Sequence, residues 1–159
     1  MSKNEIIKNQ LSDEINKYNH SVSSFVRFAE VDSFGVAHNI QYLFWLEWAR
    51  IEYLKNLGLY LNPSTFHTEF PYMIVHNEID YFKSLGFNEQ YNILTRIKFI
   101  KKSSFCFENI VHNNNNVINA KAISIVVHLD VSTKKSRQIP QFYIDKIINF
   151  EKPNSILFL

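Results

Sequence analysis

The chain has 159 residues, with 17 Lys and Arg against 15 Asp and Glu for a net charge of +2, and only three glycines beside 14 phenylalanines. So even a charge balance argues against a nucleic-acid surface, and Gly35, Gly58 and Gly86 stand too far apart to build a G-x-G-x-x-G or G-x-x-x-x-G-K-[ST] phosphate cradle. The single cysteine, Cys106, excludes an intrachain disulfide and cysteine-based zinc sites. No run approaches the roughly 18 apolar residues of a membrane span, and the first residues lack a signal peptide's apolar centre, so the expectation is a soluble cytoplasmic protein.

In chain order, residues 3–17 place Ile7, Leu11 and Ile15 four apart among polar side chains and predict an amphipathic N-terminal helix. Ser23–Val31 is rich in β-formers and predicts a strand, with a short polar loop at Asp32–Gly35 after it. Ile40–Leu57 has no Pro or Gly and ends at Gly58, suited to the left-handed residue that follows a helix. Its apolar residues cover most of the circumference, so the helix is expected to be buried and wrapped. After a loop holding Pro63 and Pro71, strands are expected at Tyr72–Phe82, Tyr91–Lys102, Phe105–Asn113 and Val117–Val131. Gly86 turns between the first two, Lys102–Ser104 marks a kink or short connection, and Asn113–Asn116 is a hairpin turn. Pro140 opens a short helix to about Phe150, and Pro153 closes it. This order disfavours a parallel α/β sheet and predicts an α+β fold, an antiparallel sheet curled around one long central helix. The expected division is an N-terminal extension at 1–22, a domain at 23–151 and a tail at 152–159. The tail's Ile156–Leu159 either frays or joins an interface.

The six histidines show no metal-ligand spacing, there is no G-x-S-x-G elbow, and Cys106 reads as a buried strand residue. No metal and no cofactor are expected. Lys101 and Lys102, with Lys134, Lys135 and Arg137, form two small basic clusters, either solvated loop charge or contacts for a ligand's phosphates. The segment that stands out is Asp32–Arg50, in which a loop carboxylate precedes the long helix by seven residues. The first N–H groups of a helix have no partner within it and lie at its positive end, a place for developing negative charge. A carboxylate beside such an end suits thioester hydrolysis, because a thiol of pKa near 8.5 leaves with little help from an acid. On these grounds alone Asp32 reads rather as a plain residue at the entry of a helix.

From about Phe25 to Gln141 the chain resembles the hotdog-fold thioesterases, in the branch of 4-hydroxybenzoyl-CoA thioesterase and the bacterial acyl-CoA thioesterases. The resemblance is carried by VRFAEVDSFGVAHNIQYLFWLEWARIEYLKNLG, similar to that branch's D-x-x-G-[VH]-V-x-x-x-x-Y-L loop and E-x-A-R helix. IVHNEIDYFKSLGFNEQYNILTRIKFIKKSSFCFE and HLDVSTKKSRQIPQ follow in the family's order. The resemblance implies Asp32 as the catalytic nucleophile or general base, Gly35 as the glycine that lets the loop approach the thioester, and the Asn39 N–H as the group that polarises its carbonyl. It further implies His38, Tyr42, Lys101, Lys102 and Ser103 on the substrate-binding side, the two lysines near the CoA nucleotide. Glu47 and Arg50 are expected to form a structural ion pair. Many relatives carry His in place of Asn39, and His38 stands one residue early. The plant acyl-carrier-protein thioesterase pattern fails at Phe34 and Val36, and the H-G-G opening of the other hotdog branch is absent.

The resulting expectation is an acyl-CoA thioesterase that assembles as a homodimer or homotetramer and has no nucleic-acid or membrane partner. The alternatives are a hotdog carrier or sensor that binds acyl-CoA without turnover and, third, a hotdog hydratase or dehydratase. Phe34, Phe44, Trp45 and Trp48 are expected to serve the packing of a buried helix rather than to shape an acyl pocket.

Overall fold

Helix α1, Asn39–Asn56, is the axis around which the chain folds. The computed structural model describes residues 14–59, 62, 64, 66–153 and 155–159. Most of the expected N-terminal helix, through residue 13, and Pro63 therefore lie outside the described residues. Six strands follow the chain: β1 His20–Phe25, β2 Tyr72–Tyr81, β3 Gln90–Ile100, β4 Ser104–Asn113, β5 Ile118–His128 and β6 Leu157–Phe158. Two further helices are α2, Phe66–Glu69, which the sequence did not signal, and α3, Gln141–Phe150, which starts after Pro140 as expected.

Strands β1 to β5 form a sheet in the order β1-β3-β4-β5-β2 with each neighbouring pair antiparallel, and among the described residues no strand pairs with the outer edge of β2. The opposite edge strand is covered in two pieces: β1 pairs with Gln90–Thr95, and β6 runs parallel to Phe99–Ile100. The tail is thus neither frayed nor free but hydrogen-bonded into the sheet, with Leu159 N–H donating to the Ile100 carbonyl at 3.1 Å.

The sheet curls over one side of α1. Tyr42, Trp45, Leu46 and Ala49 pack against Tyr91, Ile93 and Val111, while Tyr53, Leu54 and Leu57 pack against Ile97, Phe105 and Phe107 and against Ile139, Tyr143 and Ile147. Burying each large apolar side chain stabilises the fold by about 1.5–3 kcal/mol, but this accounts for Phe70, Phe105 and Phe107 and not for the whole aromatic excess. Phe34, expected to pack with the helix, is 87 % exposed on its loop, and Phe28, Phe82 and Phe87 are exposed as well. The expectation that α1 is buried all round fails on one stripe. Ile40, Leu43 and Phe44 are exposed, Phe44 at 57 %, because a single sheet covers only one side of a helix.

Four boundaries differ from the sequence expectation for local chemical reasons. The first strand ends at Phe25 rather than Val31, because the Glu30 carboxylate takes the Arg27 N–H and guanidinium and folds Phe28–Glu30 into a 3-10 turn. The last long strand ends at His128 because Asp130 captures the N–H and hydroxyl groups of Ser132 and Thr133. Lys101 N–H bonds back to the Ser104 carbonyl, so Lys102–Ser103 is a tight hairpin tip. Between β2 and β3 the left-handed residue is Asn88, φ 60°, whereas Gly86 bridges to Val36. Among the described residues no helix is long and apolar enough to cross a membrane.

Candidate active site

The Asp32–Ala37 loop is a closed turn. Asp32 N–H donates to the Val36 carbonyl at 2.9 Å, Gly35 N–H donates to the Asp32 carbonyl at 3.0 Å, and Val31 bridges to Ala37. Gly35 sits at φ +73° with nothing within 4 Å of where a Cβ would stand. Its glycine therefore answers a backbone conformation, not a lack of room. The Asp32 Oδ1 accepts the Phe34 N–H at 2.8 Å, and among the described residues Oδ2 has no donor.

The loop is tied to the start of α1 from behind. The Glu30 carbonyl accepts the His38 N–H at 2.8 Å, and the buried Glu30 carboxylate accepts the Trp45 indole N–H at 2.9 Å. Burial would raise this carboxyl, but the bonds from Arg27 and Trp45 outweigh it and hold Glu30 below the usual carboxylate range. His38 caps the helix: its Nδ1 accepts the Ile40 N–H at 3.3 Å, and its carbonyl takes the Gln41 N–H at 2.9 Å. An imidazole that accepts at Nδ1 carries its proton on Nε2 when neutral. Of the N–H groups from His38 to Gln41, that of Asn39 alone has no acceptor among the described residues.

Asp32, His38 and Asn39 line one wall of a cleft of about 360 Å³, with Ala37 and Tyr42. Tyr81, Phe82, Lys83 and Ser84, where the chain leaves β2, form the other. The Tyr81 hydroxyl donates to the Asn39 carbonyl at 3.1 Å, and its ring meets Tyr42 edge to face at 5.1 Å. Burial pushes the Tyr42 phenol up to about 12, so it remains neutral. The cleft thus holds, among the described residues, one carboxylate oxygen without a donor and one helix-start N–H without an acceptor, groups suited to direct a nucleophile at a carbonyl and to donate to its oxygen.

A sequence model of the thioesterase-like superfamily matches residues 26–147, more than three quarters of the chain. The chain belongs to the thioesterase-like superfamily. Solved thioesterases share its hotdog fold, an antiparallel sheet around a long central helix. A 1,4-dihydroxy-2-naphthoyl-CoA thioesterase from Synechocystis superposes with a TM-score of 0.76 at 21 % identity, covering 84 % of this chain and 98 % of that one. A thioesterase from Thermus thermophilus, complexed with coenzyme A and Zn, gives 0.75 at 22 %, covering 86 % and 98 %. A protein from Staphylococcus aureus solved in complex with CoA gives 0.76 at 11 %, covering 84 % and 85 %. No curated protein matches the sequence.

Within this superfamily frame, Asp32, Gly35, His38, Asn39 and Tyr42 fall on one loop and the helix start beside it. Lys101, Lys102 and Ser103 do not join them in one chain. They tip the β3–β4 hairpin next to Val127, whereas the cleft adjoins Ala120, seven residues away along β5 and so about 23 Å. The hairpin tip meets the loop after β5 instead. His128 N–H donates to the Ser103 carbonyl, Ile139 N–H to the Lys102 carbonyl, and Arg137 N–H to the His128 carbonyl. Two basic clusters separate in sequence therefore share one end of the sheet.

The expected Glu47–Arg50 ion pair is absent. Arg50 turns inward, 4 % exposed, its Nη1 reaching the Ser124 hydroxyl at 3.3 Å, while Glu47, one turn earlier, points to solvent. Sequence reasoning missed Glu30 and Lys83. A carboxylate inside an apolar, β-rich run was the available signal for Glu30. Lys83 carried none, because its place in the lining of the Asp32 cleft is set by strand order.

Proposed function

We propose that the chain hydrolyses an acyl-CoA thioester to the free acid and CoA in the Asp32 cleft. The observation that carries this reading is the unpaired Asn39 N–H in the same cleft as the unpaired Asp32 Oδ2. With the thioester carbonyl oxygen on the Asn39 N–H, either Asp32 attacks the carbonyl carbon or it takes a proton from a water that does so. The C–S bond then breaks, and its electron pair leaves on the thiolate. After direct attack, water cleaves the resulting mixed anhydride, returns the carboxylate and releases the acid. A thiol of pKa near 8.5 departs as thiolate, so no general acid is required.

In the same proposal β2 pairs antiparallel with the β2 of a second copy. That pairing sets the Tyr72 end of one β2 beside the Tyr81 end of the other. Lys101, Lys102 and Ser103 of the partner subunit then approach this cleft, where the lysines meet CoA phosphates. His38 and Tyr42 line the thioester's seat.

Thiol release from a panel of acyl-CoAs of different chain length, followed with a chromogenic thiol reagent, tests the reading. Asp32→Asn and Asp32→Ala should lose at least about 10³-fold in turnover while keeping the wild-type melting temperature. Undiminished hydrolysis by either variant overturns the mechanism. Asn39, in place of the histidine common among relatives, favours the second reading of a non-catalytic acyl-CoA carrier. Binding without thiol release by wild type would establish it.

A further inference from the structure

We propose that Lys83 gives the cleft a preference for short acyl groups ending in a carboxylate, an inference that rests on the cleft being the thioester site. Lys83 is the one ammonium among the cleft's lining residues, and Asp32 is the one carboxylate. Among the described residues no carboxylate lies within 4 Å of the Lys83 Nζ, so its charge is uncommitted.

Its backbone, by contrast, is fixed. The fully buried Asn119 accepts the Phe82 and Lys83 N–H groups on its carbonyl at 2.8 and 3.2 Å. Its side-chain amide donates to the Lys83 and Ser84 carbonyls at 3.2 and 3.3 Å. Four bonds from one interior residue hold three consecutive positions of the wall. The ammonium is presented from a rigid base, and less ordering opposes its use in binding.

Location decides what Lys83 meets. CoA carries its phosphates at the far end of the long pantetheine arm, whereas Lys83 and Asp32 share a cleft of about 360 Å³. A negative charge that stays within that cleft while the carbonyl faces Asp32 belongs to the acyl group. Within the lining that one chain provides, an acyl carboxylate would without Lys83 meet only the like charge of Asp32, so the ammonium also offsets that repulsion. The partner subunit's lysines remain with the CoA phosphates outside the cleft. Exposed Phe82 and Tyr81 flank it and offer apolar contact to the acyl stem.

The test compares succinyl-CoA with butyryl-CoA, alike in backbone length and different in terminal charge. Wild type should favour succinyl-CoA by about tenfold or more in kcat/KM, the scale of a charge-assisted hydrogen bond. Lys83→Gln should collapse that ratio to about one, chiefly through KM. Lys83→Glu should invert it, and Lys83→Arg should retain it. No preference in wild type, or an equal loss on both substrates in Lys83→Gln with weakened inhibition by free CoA, would overturn the inference and assign Lys83 to CoA. Calorimetric binding of the two thioesters to the Asp32→Asn variant, in which the like charge of Asp32 is gone, reads the preference without turnover and should show it at least as large. An absence of hydrolysis by wild type thus counts against the proposed reaction, while the binding ratio still decides Lys83.

Discussion

Asn39 is the first helical residue of α1, and its side chain and its N–H can be separated by substitution. Proline is well accepted at that position, since the missing N–H has no helical partner anyway. The preceding residue, His38, already has the extended backbone (φ −60°, ψ 136°) that proline requires before it. Asn39→Pro should therefore fold with a near-wild-type melting temperature and lose about 10²–10³-fold in kcat, the cost of deleting one oxyanion donor. Asn39→Ala, which keeps the N–H, should remain within a few fold of wild type in a thiol-release assay. Equal activity in both variants would remove the N–H from the mechanism. At this scale the loop and the helix start were legible as local structure because Asp32 to Asn39 are eight consecutive residues, whereas the site roles expected of Asp32, Gly35 and Asn39 came from the resemblance to the thioesterases. Glu30 was not, because its role depends on Trp45, 15 residues along, turning its indole back onto the carboxylate.

The junction of β3 with the C-terminal helix is the element in which fold and ionisation are most closely linked. A bulge between Ile97 and Phe99, beyond the reach of β1 and before that of β6, leaves part of the β3 edge without a strand partner. Glu151, just past α3, fills the gap: its Oε1 accepts the Ile97 N–H at 2.7 Å and the Tyr53 hydroxyl at 2.6 Å, joining sheet, α1 and α3. Burial raises the Glu151 carboxyl despite those two bonds. A raised acid binds its proton more readily in the folded state than in the unfolded one. Its contribution to stability is therefore fully present below the ordinary carboxyl range and declines as pH rises through the raised value. Denaturant titrations should show this decline in wild type and its absence in Glu151→Gln, which keeps an acceptor without the charge. Glu151→Ala should lose about 1–3 kcal/mol for each of the two donors left buried and unpaired. A Glu151→Ala variant as stable as wild type would refute the account. The helix itself was legible from Pro140 and its apolar spacing. Its anchor was not, since nothing local marks the one glutamate that meets a bulge more than fifty residues earlier.

On the scale of the whole molecule, one sheet around one helix leaves β2 with no strand partner on its outer edge among the described residues. Met73 and Val75, both 58 % exposed on that strand, add apolar surface to the exposed stripe of α1. Unprotected edges of this kind favour pairing with another strand, and a lysine placed on one blocks it. Sedimentation at micromolar concentration should show a dimer for wild type and a monomer for Val75→Lys, with KM for acyl-CoA raised as the partner subunit's lysines are lost. A monomeric wild type would exclude the paired-edge assembly. The order of a strand, a long capped helix and four further strands followed from periodicity, turn residues and proline positions, all of which act over a few residues. The loop before that helix is equally local, but its reading as a catalytic loop came from the resemblance to the thioesterases. Tertiary structure alone decided that Lys83 lines the same cleft as Asp32, that Lys101 and Lys102 tip a hairpin about 23 Å along β5 from that cleft, near Arg137, and that the tail completes the β3 edge. Each of these is a contact between residues far apart in the chain. It is fixed by which strand lies beside which and by where the register shifts, and local side-chain chemistry carries no record of either.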